Sequence, residues 1–257
     1  MTPKFSIIIP TYNNEKTLPR AINSVLSQTY RNWELIIVND CSLDNTSELL
    51  KKLHSPMIKI YDLSEHQERL VCRNIGTREV KGEWICFLDA DDEYMADYLK
   101  VLNDEIERNP DYPIFNFGSL FKEKEIIDNR RYEKGWRIIE PLKLKEIEIL
   151  ETTQTTLGME SFGKGLITTG CFIFKKALLV NEPFYPMTKV AYGSDDSFPA
   201  LLIKKDEIFK EICKQDEEGN WLPLGNPFGD DYSLFWWLTR YNKSKCLDNI
   251  LYIHHIR

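Results

Sequence analysis

The sequence predicts an α/β fold in which a mainly parallel β-sheet is flanked by helices through right-handed crossovers. Three observations carry this expectation. Short, nearly continuous β-branched runs alternate with helix-periodic stretches through residues 5 to about 100. The chain has 257 residues, 42% hydrophobic and 28% charged, which suits one large α/β domain and excludes dominant disorder. Polar residues stand just beyond the apolar runs, and in parallel sheets ligands sit at the carboxyl ends of the strands.

The elements follow in order. Phe5-Ser6-Ile7-Ile8-Ile9 reads as a strand covered on both faces, stopped by Pro10. Leu18, Ile22, Val25 and Leu26 recur at helix spacing. Trp33 to Val38 is a second strand. Asp44-Asn45-Thr46 opens a second helix, with Asp44 as N-cap and Leu49, Leu50 and Leu53 facing inward. Met57 to Tyr61 is a third strand, and a third helix spans about Glu68 to Val80 before Gly82. Trp84 to Leu88 is a fourth strand, ending in Asp89-Ala90-Asp91-Asp92. A fourth helix runs from about Met95 to Arg108, before Pro110.

The second half is less regular. Phe115 to Phe121 and Gly170 to Phe174 read as strands. Glu123 to Arg131 is a charge run, expected as a solvated loop or helix face, and Tyr132 to Lys145 carries a basic-aromatic pattern expected as a solvated helix face, with a membrane-contact patch as the alternative. Gly158 to Gly170 reads as a mobile loop, and Trp221 to Gly229 as a loop.

Charge and cysteine usage narrow the function classes. Lys plus Arg is 33 and Asp plus Glu is 40, so the net charge is −7. A broad electrostatic grip on nucleic acid needs clustered excess cation, so no nucleic-acid partner is expected. The six cysteines form no CxxC pair, and most read as reduced core thiols. No apolar run reaches the ~18 residues of a membrane span, and the start has no leader pattern. A cytoplasmic location follows as the expectation.

Three carboxylates within Asp89-Ala90-Asp91-Asp92 repel one another at a strand end. A divalent cation with hard oxygen ligands, Mg²⁺ or Mn²⁺, removes the conflict. A turn followed by a helix N-cap explains the same residues without a metal.

Five ordered segments carry a family resemblance: Ser6 to Asn13, Ser24 to Tyr30, Glu34 to Thr46, Arg73-Asn74-Ile75-Gly76, and Gly82 to Asp92. In this order and spacing the chain resembles family 2 glycosyltransferases of the GT-A fold. The resemblance implies a Rossmann-like sheet and an irregular acceptor-side C-terminal half. It divides one continuous domain into a nucleotide-sugar half at 1–110 and an acceptor and base half at 111–257. It implies a metal-dependent, inverting transfer from a nucleotide-sugar donor, usually UDP-linked. Pro10, Thr11, Tyr12 and Asn13 would line the nucleotide pocket. Asp40 would hydrogen-bond the uracil, Arg73 would lie near the diphosphate, Asp89 and Ala90 would contact ribose or donor sugar, and Asp91 would ligate the metal.

Each role is physically sensible. Tyr12 can stack on a base. A carboxylate accepts an imide N–H, which favours uracil over cytosine at Asp40. Arg73 offers a planar fork to phosphate oxygens. The bland readings are turn packing for Thr11-Tyr12, a helix cap for Asp40 and a solvated charge for Arg73. The chain departs from the family in two places. Glu65 to Asn74 lacks the glycine often found before Ala-Arg-Asn and carries Cys72, and Asn39-Asp40-Cys41 replaces the commoner Asp-Asp-Gly.

Inverting transfer needs a general base for the acceptor hydroxyl. The family places it as an Asp at a helix start in the second half. Asp231, in Asp230-Asp231, is the first choice and Asp196, in Asp195-Asp196, the runner-up. His254 and His255 are candidate metal ligands, of which at most one can serve if the segment is extended. The implied acceptor is a saccharide or lipid-linked saccharide in surface-polysaccharide synthesis, such as lipopolysaccharide or capsule, with peripheral membrane contact. The chain lacks a Gln-x-x-Arg-Trp segment, which points to addition of a single residue. Two other classes remain open: a noncatalytic nucleotide-sugar or partner-binding module, and a sugar nucleotidyltransferase. The second would favour a glycine-rich loop after the first strand, where Pro10 to Asn13 has no glycine.

Overall fold

The computed structural model describes residues 2–67, 69–127, 130–139, 169–179, 213–215, 221–223 and 242–255. The first half alternates as the sequence predicts: β1 (Phe5–Thr11), α1 (Leu18–Leu26), β2 (Trp33–Asn39), α2 (Thr46–Leu50), β3 (Ile58–Asp62), α3 (Arg69–Arg78) and β4 (Trp84–Phe87). A two-residue strand β5 (Glu93–Tyr94) and α4 (Tyr98–Arg108) follow. The second half supplies β6 (Ile114–Ile127), β7 (Arg130–Ile139), β8 (Phe172–Lys175), β9 (Cys213–Gln215), β10 (Trp221–Pro223) and β11 (Ser244–His255).

The main sheet has nine strands among the described residues, in the order β3-β2-β1-β4-β8-β6-β11-β5, with β7 alongside β6. Pairing is parallel through β3, β2, β1 and β4. Beyond β4 the sheet is mixed: β8 runs antiparallel to β4 and β6, while β6 and β11 are parallel. Strands from both halves therefore share one sheet.

The apolar runs explain why these strands lie in the centre. Side chains alternate between faces, so a strand covered on both sides must be apolar at every position. Phe5, Ile7, Ile9, Leu35 and Ile37 pack on one face, beneath Leu18, Ala21, Ile22 and Val25 of α1 and Leu99 and Leu102 of α4. Ile8, Ile36, Val38, Ile85 and Phe87 pack on the other, against Cys72 of α3. Gly76 lets α3 approach closely: a Cβ there would lie 2.5 Å from Ile8 Cγ2. Cys72, Cys86 and Cys171 are buried thiols.

Several expectations are corrected. Pro10 lies inside β1 and does not stop it. Its side of the strand faces β4, whose pairing with β1 reaches no further than Ile8, so the missing N–H leaves no ladder bond unmade. Asp44 is not the residue at the N-cap of α2, which is Asn45, although its Oδ1 does accept the Thr46 N–H at 3.0 Å. The charge run Glu123 to Arg131 is neither loop nor helix, because β6 extends through it to Ile127 and turns back as β7. The basic-aromatic stretch from Tyr132 begins as that same strand, not as a helix. Trp221 to Pro223 is a short strand rather than a loop. The Gly158 to Gly170 stretch falls outside the described residues except for its last two positions, which join a 3₁₀ turn at Thr169–Cys171.

The amino-terminal edge of the parallel strands is closed by one buried carboxylate. Glu34 accepts from Ser6 Oγ (2.7 Å), Lys59 Nζ (2.7 Å) and the backbone N–H groups of Lys81 and Gly82. Burial pushes its carboxyl up, but Lys59, Ser6 and the Lys81 N–H together hold it below the ordinary value of 4.5. A lowered folded pKa stabilises above the unfolded value and loses that contribution as pH falls through the folded one. Glu34→Gln should cost about 1–3 kcal/mol at pH 7. Urea titrations should show the gap to wild type shrinking as pH is lowered below about 4.

Candidate active site

The predicted site residues gather at the opposite edge, where β2, β1 and β4 end side by side. The loops after β1 and β2 are laced together. The Asp40 N–H donates to Thr11 O (2.9 Å), the Asn13 N–H to Ser42 Oγ (2.9 Å) and the Leu43 N–H to Asn13 Oδ1 (2.7 Å). The Glu15 N–H donates to Asp44 Oδ2 at 3.0 Å, so Asp44 anchors the crossing. Asn13 and Cys41 both have left-handed backbones, with φ of 53° and 57°. Asn tolerates this region well, and Cys does not.

Tyr12 and Asp40 come together here. Asp40 is buried, and Tyr12 is exposed at the rim. His66, which the sequence analysis did not single out, joins them. Its Nδ1 lies 2.8 Å from Asp40 Oδ2, and its ring lies against that of Tyr12, centroids 4.2 Å apart and planes tilted by 31°. The Gln67 N–H donates to the other oxygen, Asp40 Oδ1, at 2.6 Å. The segment after β3, where the family's glycine is missing, therefore lies over Asp40.

At the end of β4 the carboxylates separate into distinct environments. Asp89 Oδ1 pairs with Arg73 Nη2 at 2.8 Å, both largely buried, and the guanidinium sits 5.8 Å from the Phe87 ring centroid. Burial pushes Asp89 up, but Arg73 and Arg69 overcome this and hold its carboxyl below the ordinary range. Ala90 is buried. Asp91 is half-buried, and α1 pins its backbone: Arg20 Nη2 donates to Asp91 O while Arg20 Nε pairs with Glu93 Oε1 at 3.4 Å.

Asp92, one of the three carboxylates for which the sequence offers either a cation or a helix cap, is instead the centre of a hydrogen-bond network. Its Oδ2 accepts from Tyr252 Oη (2.9 Å) and from His254 Nδ1 (2.8 Å), and its Oδ1 accepts from the His255 N–H (2.9 Å). Tyr252 Oη in turn accepts the Asp89 N–H at 3.3 Å. Burial pushes Asp92 up, and burial alone would lower His254. The hydrogen bond to Asp92 wins and holds His254 up at about 10, so the pair keeps a proton through neutral pH. His255 points to a different partner, Glu93, as neighbours on a strand should. Burial lowers its pKa despite Glu93. The signal in the sequence was the spacing Tyr252-x-His254, which puts two polar rings on one face of one strand. Asp231 and Asp196 lie outside the described residues.

The family model for Glycosyl transferase family 2 matches residues 6–178, well over half the chain. The chain belongs to this family. An Escherichia coli relative, UDP-Glc:alpha-D-GlcNAc-diphosphoundecaprenol beta-1,3-glucosyltransferase WfgD, is 35% identical over 48% of this chain and 47% of its own length. A Campylobacter jejuni relative, GalNAc(5)-diNAcBac-PP-undecaprenol beta-1,3-glucosyltransferase, is 29% identical over 80% of this chain and 62% of its own. S. aureus TarS 1–349, solved in complex with UDP-GlcNAc, matches with a TM-score of 0.57 at 20% identity, covering 99% of this chain and 59% of that one. The architecture is thus the GT-A fold. The chain spans less than two thirds of the length of each of these proteins.

In this family 2 chain, Cys41, Gly170 and Tyr252 give stability tests at the site. Cys41→Gly relieves a left-handed side chain and should gain about 0.5–1 kcal/mol in urea denaturation, whereas Cys41→Val should lose more than that. A Cβ at Gly170 would collide with the Tyr252 ring. Gly170→Ala should therefore destabilise by about 1–3 kcal/mol, and Tyr252→Phe, which keeps the ring but not the bond to Asp92, by about 1–2 kcal/mol.

Proposed function

We propose that this glycosyltransferase moves a sugar from a UDP-linked donor to a saccharide or lipid-linked saccharide of a surface polysaccharide, with inversion and with the help of Mn²⁺ or Mg²⁺. One observation carries the reading: an aromatic face and carboxylate (Tyr12, Asp40) stand beside an arginine-carboxylate pair (Arg73, Asp89) at neighbouring parallel strand ends. That spacing of chemistries suits a base at one end and a diphosphate at the other. The names of the E. coli and C. jejuni relatives and the UDP-GlcNAc held by TarS support the donor and acceptor classes.

The donor set bears on the metal. Among the described residues no group of three or more His, Cys, Asp or Glu is disposed to hold an ion. Asp89 is engaged by Arg73, and Asp92 by Tyr252 and His254. This suits a cation that arrives with the diphosphate and takes one protein carboxylate, Asp91, rather than a preformed cage. His254, whose Nδ1 is committed to Asp92, and His255, committed to Glu93, are secondary candidates. When bound, the cation would neutralise charge building on the departing diphosphate.

The chain's own residues do the rest. Pro10, Thr11 and Asn13 shape the loop that carries Tyr12 to the base. Asp40 accepts the imide N–H. Arg73 fixes the Asp89 carboxylate, which faces ribose or sugar beside Ala90. Asp231, with Asp196 as runner-up, takes the proton from the acceptor hydroxyl as its oxygen bonds the anomeric carbon and the bond to UDP breaks. Among the described residues no helix is long and apolar enough to cross a membrane. A lipid-linked acceptor would bring the chain to a membrane surface by peripheral contact.

Calorimetry of UDP with Mn²⁺ or Mg²⁺ should show binding that a chelator abolishes and that Asp91→Ala weakens at least about tenfold. Asp231→Asn should keep UDP binding and lose roughly 10²-fold or more in transfer rate. Absence of binding with either metal would reject the UDP-sugar reading in favour of another donor or a noncatalytic module.

A further inference from the structure

We propose that His66 is a built-in stand-in for the nucleobase, which donor binding must displace, so that residue 66 sets the affinity for the nucleotide. The inference rests on the reading of Tyr12 and Asp40 as the base site, and deepens it.

His66 makes the two interactions assigned to the base. Its imidazole lies against the Tyr12 ring with centroids 4.2 Å apart, which is direct ring-on-ring contact with no room for a second ring between. Its Nδ1 meets Asp40 Oδ2 at 2.8 Å. A carboxylate has no hydrogen to give, so Nδ1 is the donor, as an imide N–H would be. The backbone supports the arrangement: the Gln67 N–H donates to Asp40 Oδ1 at 2.6 Å and Cys41 Sγ donates to Ser64 O at 3.5 Å. The 64–67 segment is thus laid across the end of β2, with both oxygens of Asp40 engaged by it.

The latch is built to be weak. Tyr12 is 37% exposed, and the His66 side chain is 41% exposed. Segment 64–67 belongs to no helix or strand. Both rings stand at the solvent rim while the accepting Asp40 oxygen is buried, so a nucleotide outcompetes the closed state by supplying both the ring contact and the donor that His66 gives up. A ligand that binds only the open state sees its affinity reduced by the fraction of molecules that are open.

The test is UDP titration by calorimetry, in Mg²⁺ buffer, of wild type, His66→Ala, and the double variants His66→Ala/Tyr12→Ala and His66→Ala/Asp40→Asn, which probe the base contacts with the stand-in already gone. His66→Ala should bind UDP about 5- to 10-fold more tightly than wild type, and each double variant more weakly than His66→Ala. Unchanged or weaker binding by His66→Ala, with the double variants weaker still, would overturn the stand-in and leave the base site intact. Double variants that bind UDP as His66→Ala does, or no binding by any of the proteins, would overturn the base-site reading and the stand-in with it. Proton NMR reads the same event in the wild-type protein. There are four histidines, so the His66 Hε1 signal can be assigned by its loss in His66→Ala. It should start shielded by the Tyr12 ring and move downfield at UDP saturation. A signal that stays shielded at saturation would overturn the displacement.

Discussion

The site edge of this molecule depends on the buried Asp92 carboxylate. An ionisable group taken out of water must be met by donors or it destabilises the fold. All three of its described partners, Tyr252 Oη, His254 Nδ1 and the His255 N–H, come from β11, about 160 residues further along the chain. One side chain thereby ties the end of the described chain to the turn that carries Asp89 and Asp91. The tie also explains the irregularity of β11, whose register with β6 shifts between Cys246 and Ile250 and again between Ile250 and Tyr252. Bulges re-aim side chains, and here the result is that Tyr252 and His254 reach Asp92 while Tyr252 also packs against the Tyr94 ring at 5.8 Å.

What could be read in the sequence is what burial on both faces writes into it. Ile7, Ile8 and Ile9 are all apolar because alternate residues meet different helices, and the same is true of Leu35 to Val38. The helices declared themselves by period, and the strand ends by the switch to Thr, Asn and Asp. Long-range polar pairing leaves no such trace. Nothing about Asp92 distinguishes it locally from a helix cap, and nothing about His66 ties it to a carboxylate 26 residues earlier. The β6–β7 hairpin was hidden for a related reason. Its pairing, Lys122 with Trp136 through Ile127 with Arg130, runs through a stretch rich in charge, and that charge resembled a loop. The proline in β1 is another case, tolerated because the neighbouring ladder has already ended.

The two edges of the parallel strands show different uses of the same chemistry. At the amino-terminal edge Glu34 gathers a lysine, a hydroxyl and two backbone donors, and the result is closed and structural. At the carboxyl edge each carboxylate is also compensated, but by a group that could be exchanged: His66 and the Gln67 N–H for Asp40, Arg73 for Asp89, His254 for Asp92. The degree of commitment differs among them. Arg73 and His254 are largely buried with their partners, whereas His66 stands at the rim. On the proposed function, a nucleotide recognised at Asp40 and Asp89 substitutes one donor for another rather than filling an empty acceptor. The net free energy is then a small difference between two similar interactions. A nucleotide that matched only the hydrogen bond at Asp40 would gain little over the histidine already there. One that also engages the arginine and the aspartates of the neighbouring strand end couples both stations through the same ligand. On the proposed reading of Tyr12 and Asp40 as the base site, binding strength there is governed by what the chain must give up.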